Sequence, residues 1–410
     1  MAATLRARAA GVCARRLPSI TALLFAVPLI EELASGVQSS GAPDIERSFG
    51  LSHTATAVVL FLVPGLVQLV LDPVWFWLAE RFGRPWLVRG GLAIMAAAQL
   101  VAAVAPGPVT LTSALSVWGL AAGAANSLSE LTLIDHRPDE RARTLARWTL
   151  LSLLGYVGAP VVLGGLALIA PQAAWRVGFA IAGAMLAVWA VAVSLRAFPA
   201  AAVAAVDDEP PLWQAAREAL RDRVLIGWLF GTALCSLLDE ILIVFASLHV
   251  RDELGATATG QNAVVVAFIA GGAIGLVGLE RLLARYGEHR LMIAAGLACG
   301  AAFAAWLAAP ALWLSVVLMV PVGATAAPLY PLATAQAYAR CPGRSSVVLV
   351  ASHLFAPLVL ALPWLLGWVA DRAGTLCALA LLAVQPIGLV VLALTTGDRD
   401  SRDSRTGDPP

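Results

Sequence analysis

The chain has 410 residues, 60% hydrophobic and only 13% charged, with a formal net charge of +1 and a mean hydropathy of +0.83. Soluble domains carry about 25% charged residues, so there are too few charges here to clothe a globular surface, and a soluble fold and disorder are both excluded. All 27 basic residues are Arg, which removes the phosphate-loop Lys of P-loop NTPases and the Lys of Schiff-base chemistry.

A membrane span takes about 20 apolar residues. Apolar runs bounded by Arg, Pro, Gly or Asp predict twelve of them, all helical, because a lipid-embedded backbone must satisfy its own N–H and C=O groups. The first six are Pro18–Gln38, Thr56–Ala79, Leu87–Ala105, Val109–Ile134, Thr149–Ile169 and Trp175–Leu195. The second six are Val224–Leu248, Gly260–Leu279, Leu291–Ala308, Leu312–Ala335, Ser346–Val369 and Leu376–Leu394. The runs are too long and continuous for barrel strands.

With the N-terminus inside, 23 Arg fall on the cytoplasmic side, and only Arg47, Arg176, Arg251 and Arg372 on the other. That alternation follows the positive-inside rule and predicts cytoplasmic termini in the cytoplasmic (inner) membrane. The alternative, a cleaved signal peptide over Leu17–Ile30, would undo it. The five Cys are scattered, with no C-x-x-C pair, so neither a disulfide framework nor a metal site is expected.

The sequence also repeats. Span 1 holds Glu31-Glu32 inside an apolar run, and span 7 holds Asp239-Glu240, 208 positions on. Glu80-Arg81-Phe82-Gly83 follows span 2, and Ala284-Arg285-Tyr286-Gly287 follows span 8, 204 positions on. Pro138 and Pro342 repeat the interval of 204. Two related six-helix halves are predicted: residues 18–195 and 224–394, with a cytoplasmic tail at 1–17, a cytoplasmic linker at 196–223 and a C-terminal tail at 395–410. Parallel halves of this kind are a transporter architecture.

Polar residues concentrate in particular spans. Spans 3, 6, 9 and 12 carry almost none, Gln99 and Gln385 being the main exceptions. Span 4 carries Asn126, Ser127, Ser129 and Glu130, and span 10 carries Tyr330 and Thr334; Asp72, Tyr156 and His353 lie in spans 2, 5 and 11. A charge at bilayer depth costs about 2.5–3.5 kcal/mol, so the acids ask for a reason. Glu31, Glu32, Asp239 and Glu240 are candidate coupling or substrate-binding acids; a bracing role between helices or a solvated vestibule is the alternative. At 1.5 Å per residue, Glu32 lies about 21 Å from Pro18 and Glu240 about 24 Å from Val224, which places both pairs in the outer half. Periodicity does not choose within a pair, because Ser35 follows Glu31 by four and Glu32 by three. Asp72, beside Pro73, is a candidate proton or cation site. Glu130 reads as snorkelling or cavity lining, and His353 as a proton carrier or a neutral hydrogen-bonded imidazole.

Twelve spans in two halves, with the loop after span 2, resemble the major facilitator superfamily over essentially the whole chain. The family's loop pattern is Gly, three residues, an acid, a base, any residue, Gly and two bases. Glu80, Arg81, Gly83 and Arg84 match it, whereas Phe76 and Pro85 depart from it. The resemblance implies an all-α membrane fold, a cavity lined by spans 1, 4, 7 and 10, and a cytoplasmic gating loop comprising these residues with Arg285 and Gly287. A second pattern, found in the family's antiporters, is partly matched in span 5 by Gly155, Ala159-Pro160 and Leu163-Gly164. The antiporters' Arg in span 4 is absent: Gly119 stands four residues before Gly123.

The expected function is secondary active transport of a small solute by alternating access, coupled to protons with sodium as the alternative ion. Outward transport is favoured by span 5 and disfavoured by span 4. A non-transporting sensor or scaffold is the alternative. No enzyme activity, cofactor, metal or nucleic-acid partner is expected, and the protein is expected to be a monomer in the bilayer.

Overall fold

A computed structural model describes residues 19–51, 55–56, 58–169, 173–198 and 212–406; the N-terminal tail and linker residues 199–211 lie outside these. Among the described residues the protein is helical and has no strand. The helices are numbered after the spans they carry. In the first half, α1 is Ile20–Phe25 with Val27–Phe49, and α2 is Val58–Leu62 with Val63–Phe82. Then come α3 (Arg84–Ala103), α4 (Pro108–Ala122, Gly123–Ser127, Leu128–His136), α5 (Arg141–Ile169) and α6 (Ala174–Ser194). A linker helix, Leu212–Ala219, precedes the second half. There α7 is Arg223–Leu234, Leu237–Ile241 and Leu242–Asp252, α8 is Ala258–Leu282 and α9 is Glu288–Leu307. The rest are α10 (Leu312–Ala326, Leu329–Ala339), α11 (Ser345–Ser352, His353–Phe355, Ala356–Ala373) and α12 (Thr375–Leu381, Val384–Thr406).

Eleven of these are long and apolar enough to cross a membrane; in α2 the apolar stretch is the shorter Val58–Asp72. α1 and α12 run furthest past their predicted C-terminal ends. α12 continues to Thr406, and α1 continues to Phe49, where Gly50 stops it at φ 63°. The polar run after Gln38 reads as a loop by hydropathy but is helical. Its Asp44 and Arg47 are ion-paired one turn apart, which supports an exposed helical turn. Glu31 lies at the centre of the apolar helical stretch Ile20–Ala42, and Asp239 near the centre of Arg223–Asp252.

By packing, the chain divides into two units. One comprises Met1–Arg137 with Leu151–Glu209, and the other Pro138–Leu150 with Pro210–Pro410; the first turns of α5 thus pack with the second unit. In the first unit, Val37, Ile45, Leu60, Leu115, Trp175 and Phe179 form a buried cluster that ties α1, α2, α4 and α6. Trp175 donates through Nε1 to Ser48 Oγ at 3.1 Å. Arg176 donates to the carbonyls of Ala103 and Ala105 at 3.0 and 2.9 Å, which satisfies oxygens left over where α3 ends. In the second unit, Trp306 stacks on Phe303 and donates to Ser315 Oγ at 2.8 Å.

Small residues set the closest helix contacts. A methyl group at Gly271 or Gly275 of α8 would overlap the carbonyl oxygens of Val320 or Ala324 in α10, and one at Gly323 would overlap the carbonyl of Phe268. Backbones that approach this closely are characteristic of membrane helix pairs, where packing replaces the hydrophobic effect as the force of association.

Candidate functional site

Several helices are interrupted, most of them among the polar ones. α2, α4 and α7 each contain a five-residue π turn, and α11 a 3₁₀ turn at His353–Phe355. α3, α6, α8 and α9 run without interruption. Such turns free backbone groups from the helical ladder, and an unsatisfied group in a membrane interior costs several kcal/mol. Side chains satisfy them here. The α1 break at Ala26 leaves Leu23 O to accept from Trp189 Nε1 at 2.9 Å. Gln38 Nε2 donates to Leu60 O in the π turn of α2. His353 Nδ1 lies 2.9 Å from Leu349 O. In α7, Leu238 N–H donates to Gln385 Oε1 of α12 at 2.7 Å.

The α7 break falls on the second acidic pair. Leu238 (φ −98°, ψ 36°) and Asp239 (φ −130°, ψ −108°) leave helical geometry. Leu237 and Leu238 are buried, whereas Asp239 is exposed; the Glu240 side chain lies outside the described ones. Glu31 and Glu32 are half-buried in an unbroken stretch of α1. A methyl group at Gly155 of α5 would come within 2.9 Å of Glu32 Cβ and overlap Leu29 O, and one at Gly36 would overlap Ala159 Cβ. The small residues of α5 that match the antiporter pattern therefore form a seam against α1, and Glu32 is the acid of its pair that faces that seam.

Asp72 is half-buried in α2. It accepts a hydrogen bond from Gln68, while its Oδ1 is buried without a partner among the described residues. A methyl group at Gly123 would overlap that oxygen, and one at Gly119 would stand 3.4 Å from Gln68 Oε1. The π turn that begins at Gly123 also carries Asn126, whose Oδ1 is likewise buried and unpartnered among the described residues. Glu130 is half-buried one turn further along α4. Tyr156 and Tyr330 are 44% and 37% exposed on α5 and α10.

The loop after α2 turns on Gly83, which ends α2 and starts α3 at φ 80°, a conformation that favours glycine. Its counterpart Gly287 has an ordinary φ of −70°. Arg84 donates to Asp135 at the end of α4 at 2.6 Å, with both side chains largely buried. Arg81 and Arg285 are exposed, the former with its guanidinium 6.0 Å from the centre of the Phe82 ring. The Glu80 side chain lies outside the described ones. In the second unit, Gln336 of α10 donates to Glu288 of α9 at 2.9 Å, so both units tie the start of their third helix to the end of their fourth. Arg147 of α5 donates to Glu280 of α8 through Nε at 2.8 Å and through its terminal nitrogen.

Sequence reading misses four of these partners: Asp135, Arg147, Glu280 and Glu288. Arg147 reads as one more topology anchor, and the acids sit in polar loops that give no pairing signal. Gln385 is flagged by its isolation in an apolar span, but its role depends on a break that periodicity does not reveal.

Helices long and apolar enough to cross a membrane, several of them interrupted, define a multi-pass membrane protein of two helical units. The Major Facilitator Superfamily model matches residues 24–238, over half of the chain, and the chain belongs to that superfamily. Its fold resembles that of a variant of the E. coli fucose:proton symporter FucP, with a TM-score of 0.76 at 14% identity over 92% of this chain and 98% of that one. The proton:xylose symporter XylE bound to 6-bromo-6-deoxy-D-glucose gives 0.70 at 13% identity over 92% and 94%. A bacterial homologue of the iron transporter ferroportin in the outward-facing state gives 0.69 at 15% identity over 92% and 100%. No curated protein matches the chain in sequence.

Proposed function

We propose that the protein is a secondary active transporter that moves a small cationic or neutral solute across the cytoplasmic membrane by alternating access, coupled to protons. The observation that carries this reading is the exposed Asp239 at the break near the middle of the apolar helix α7. Unwound backbone and an ionisable group at this depth are the usual equipment of a transporter's binding site. Glu31 and Glu32, at matching depth in the first unit, are the second acidic group, and Asp72 is a further proton site. Acids within the polar spans, without a buried Arg among them, favour a cationic or neutral solute over an anion. The α5 seam favours outward transport, while the Gly at position 119 speaks against a drug/proton antiporter.

The two six-helix halves, 18–195 and 224–394, move as the alternating bodies in this reading. The loop Glu80–Arg84 and its counterpart at Arg285 and Gly287 gate the cytoplasmic side. Carboxylate–guanidinium pairs suit that task because they are strong yet breakable. The termini are cytoplasmic and the working unit is the monomer.

The test is purified protein in liposomes that enclose a pH-sensitive dye, challenged with a panel of amines, inorganic cations and sugars. At least one solute should drive proton movement in the wild type, and Asp239→Asn should abolish it. Solute movement that proceeds without proton movement would contradict the coupling.

A further inference from the structure

The break in α7 has a match in α12. There Leu382, Ala383 and Gln385 donate to the carbonyls three residues earlier (Leu379, Ala380 and Leu382). This tight turn separates Thr375–Leu381 from Val384–Thr406. The two breaks lie side by side. The first part of α7 packs on the second part of α12 so closely that a methyl group added at Gly227 or Gly231 would come within 2.8 or 2.9 Å of the Leu392 or Leu389 side chain. The second part of α7 packs on Thr375–Leu381. At the level of the breaks, the Gln385 side chain, only 1% exposed, gives its oxygen to Leu238 N–H. Leu238 immediately precedes Asp239, whose backbone is the most distorted in α7.

We propose that Gln385 is a positioning residue for Asp239. Its amide oxygen takes the place of a helical carbonyl for the Leu238 N–H and thereby holds α7 open at the acid. An amide suits this task better than a carboxylate, because it supplies the acceptor without adding a second charge beside Asp239. Its length lets it reach across from a neighbouring helix, and its burial excludes the water that would otherwise compete for the Leu238 N–H. Its isolation in an otherwise apolar span is explained by the same bond. The proposal rests on the reading of Asp239 as a transport acid, but the geometry of the break can be tested without a solute.

The experiment compares wild type, Gln385→Leu, Gln385→Asn and Gln385→Glu in lipid nanodiscs by hydrogen exchange over Ser236–Ile241. Gln385→Leu removes the acceptor, and Gln385→Asn withdraws it by one methylene without adding apolar bulk, which serves if the Leu variant folds poorly. Loss of a buried hydrogen bond should speed exchange of the Leu238 amide about tenfold in both, and Gln385→Glu, which keeps an oxygen in place, should restore slow exchange. Unchanged exchange in the Asn variant overturns the proposal. The second arm measures flux of a transported solute per folded molecule. Gln385→Asn should raise the apparent half-saturation concentration with little change in maximal rate, and Gln385→Glu, which keeps the acceptor but sets a second ionisable group beside Asp239, should alter the pH profile of flux. If Gln385→Asn lowers only protein yield and leaves half-saturation unchanged, Gln385 is a brace and the proposal fails. If exchange behaves as expected but Asp239→Asn transports normally, it is the role of Asp239 that fails.

Discussion

At the scale of single residues, the distinction that matters is between acids on continuous helix and acids where helical geometry fails. Glu32 faces the α5 seam through its Cβ, whereas Asp239 stands exposed where helical geometry fails. That both pairs deserve notice was legible in the sequence, because carboxylates inside an apolar run are costly at bilayer depth. Which member faces a neighbour was not, since Ser35 fits the helical spacing of either Glu and the deciding partner, Gly155, lies on another helix. Asp72 shows the same limit. The carboxylate and Gly123 are far apart in sequence, and only the structure shows one filling the space the other lacks. Gly123→Ala should therefore destabilise by about 1–3 kcal/mol through overpacking. Asp72→Ser in the same molecule should recover part of the loss, giving a coupling of about 1 kcal/mol in a double-mutant cycle. Thermal unfolding of the four proteins in detergent checks it, and additive losses would separate the two residues.

Between helices, the decisive contacts are made by backbone. In α8 and α10 the obstacle to a methyl group at Gly271, Gly275 or Gly323 is a carbonyl of the facing helix, which cannot turn aside as a side chain can. Gly275→Ala should thus cost more than Gly123→Ala, at or above about 3 kcal/mol, whereas Gly278→Ala, with open space around it, should be close to neutral. The same thermal assay ranks them, and equal losses at 275 and 278 would contradict the close approach. Helix positions and types were readable from apolar runs, because lipid allows a spanning segment little else. The interruptions were not. A π turn changes the hydrogen-bonding register over one turn only, and the side chains that compensate for it, Trp189, Gln38 and Gln385, come from elsewhere in the chain.

The ends of α1 and α12 escape hydropathy for a related reason. Hydropathy reports where lipid stops, whereas a helix stops where its hydrogen bonds do. A polar stretch such as Asp44–Arg47 supplies its own ion pair and carries the helix on to Gly50.

For the whole molecule, the Arg distribution makes a claim about orientation that is independent of any solute. Reporter fusions in the C-terminal tail near Arg402 and in the segment near Asp252 should report opposite sides of the membrane, with the tail inside; the same side for both would contradict the topology. The superfamily assignment fixes the architecture, and the repeated tie between third and fourth helices (Arg84 to Asp135 in one unit, Glu288 to Gln336 in the other) gives the two units a common internal plan. Breaking a largely buried ion pair by removing one partner costs about 3–5 kcal/mol, so Arg84→Ala should lower thermal stability far more than Arg81→Ala at an exposed site. Arg81→Ala should instead slow transport while protein level stays at wild type, as a gating role requires.

The account depends most on the acids of α1 and α7, and one measurement bears on them directly. Solute-driven proton movement per folded molecule would be recorded against pH, in liposomes, for wild type, Glu31→Gln, Glu32→Gln, Asp239→Asn and Glu240→Gln. These changes keep size and hydrogen-bonding capacity while removing the ionisable group, so packing losses stay small. At least one variant in each unit should lose coupled movement or show a flattened pH dependence, because the group that loads and releases the proton is gone. If all four match wild type in rate and in pH profile, the acids do not carry transport and the proposed mechanism is wrong.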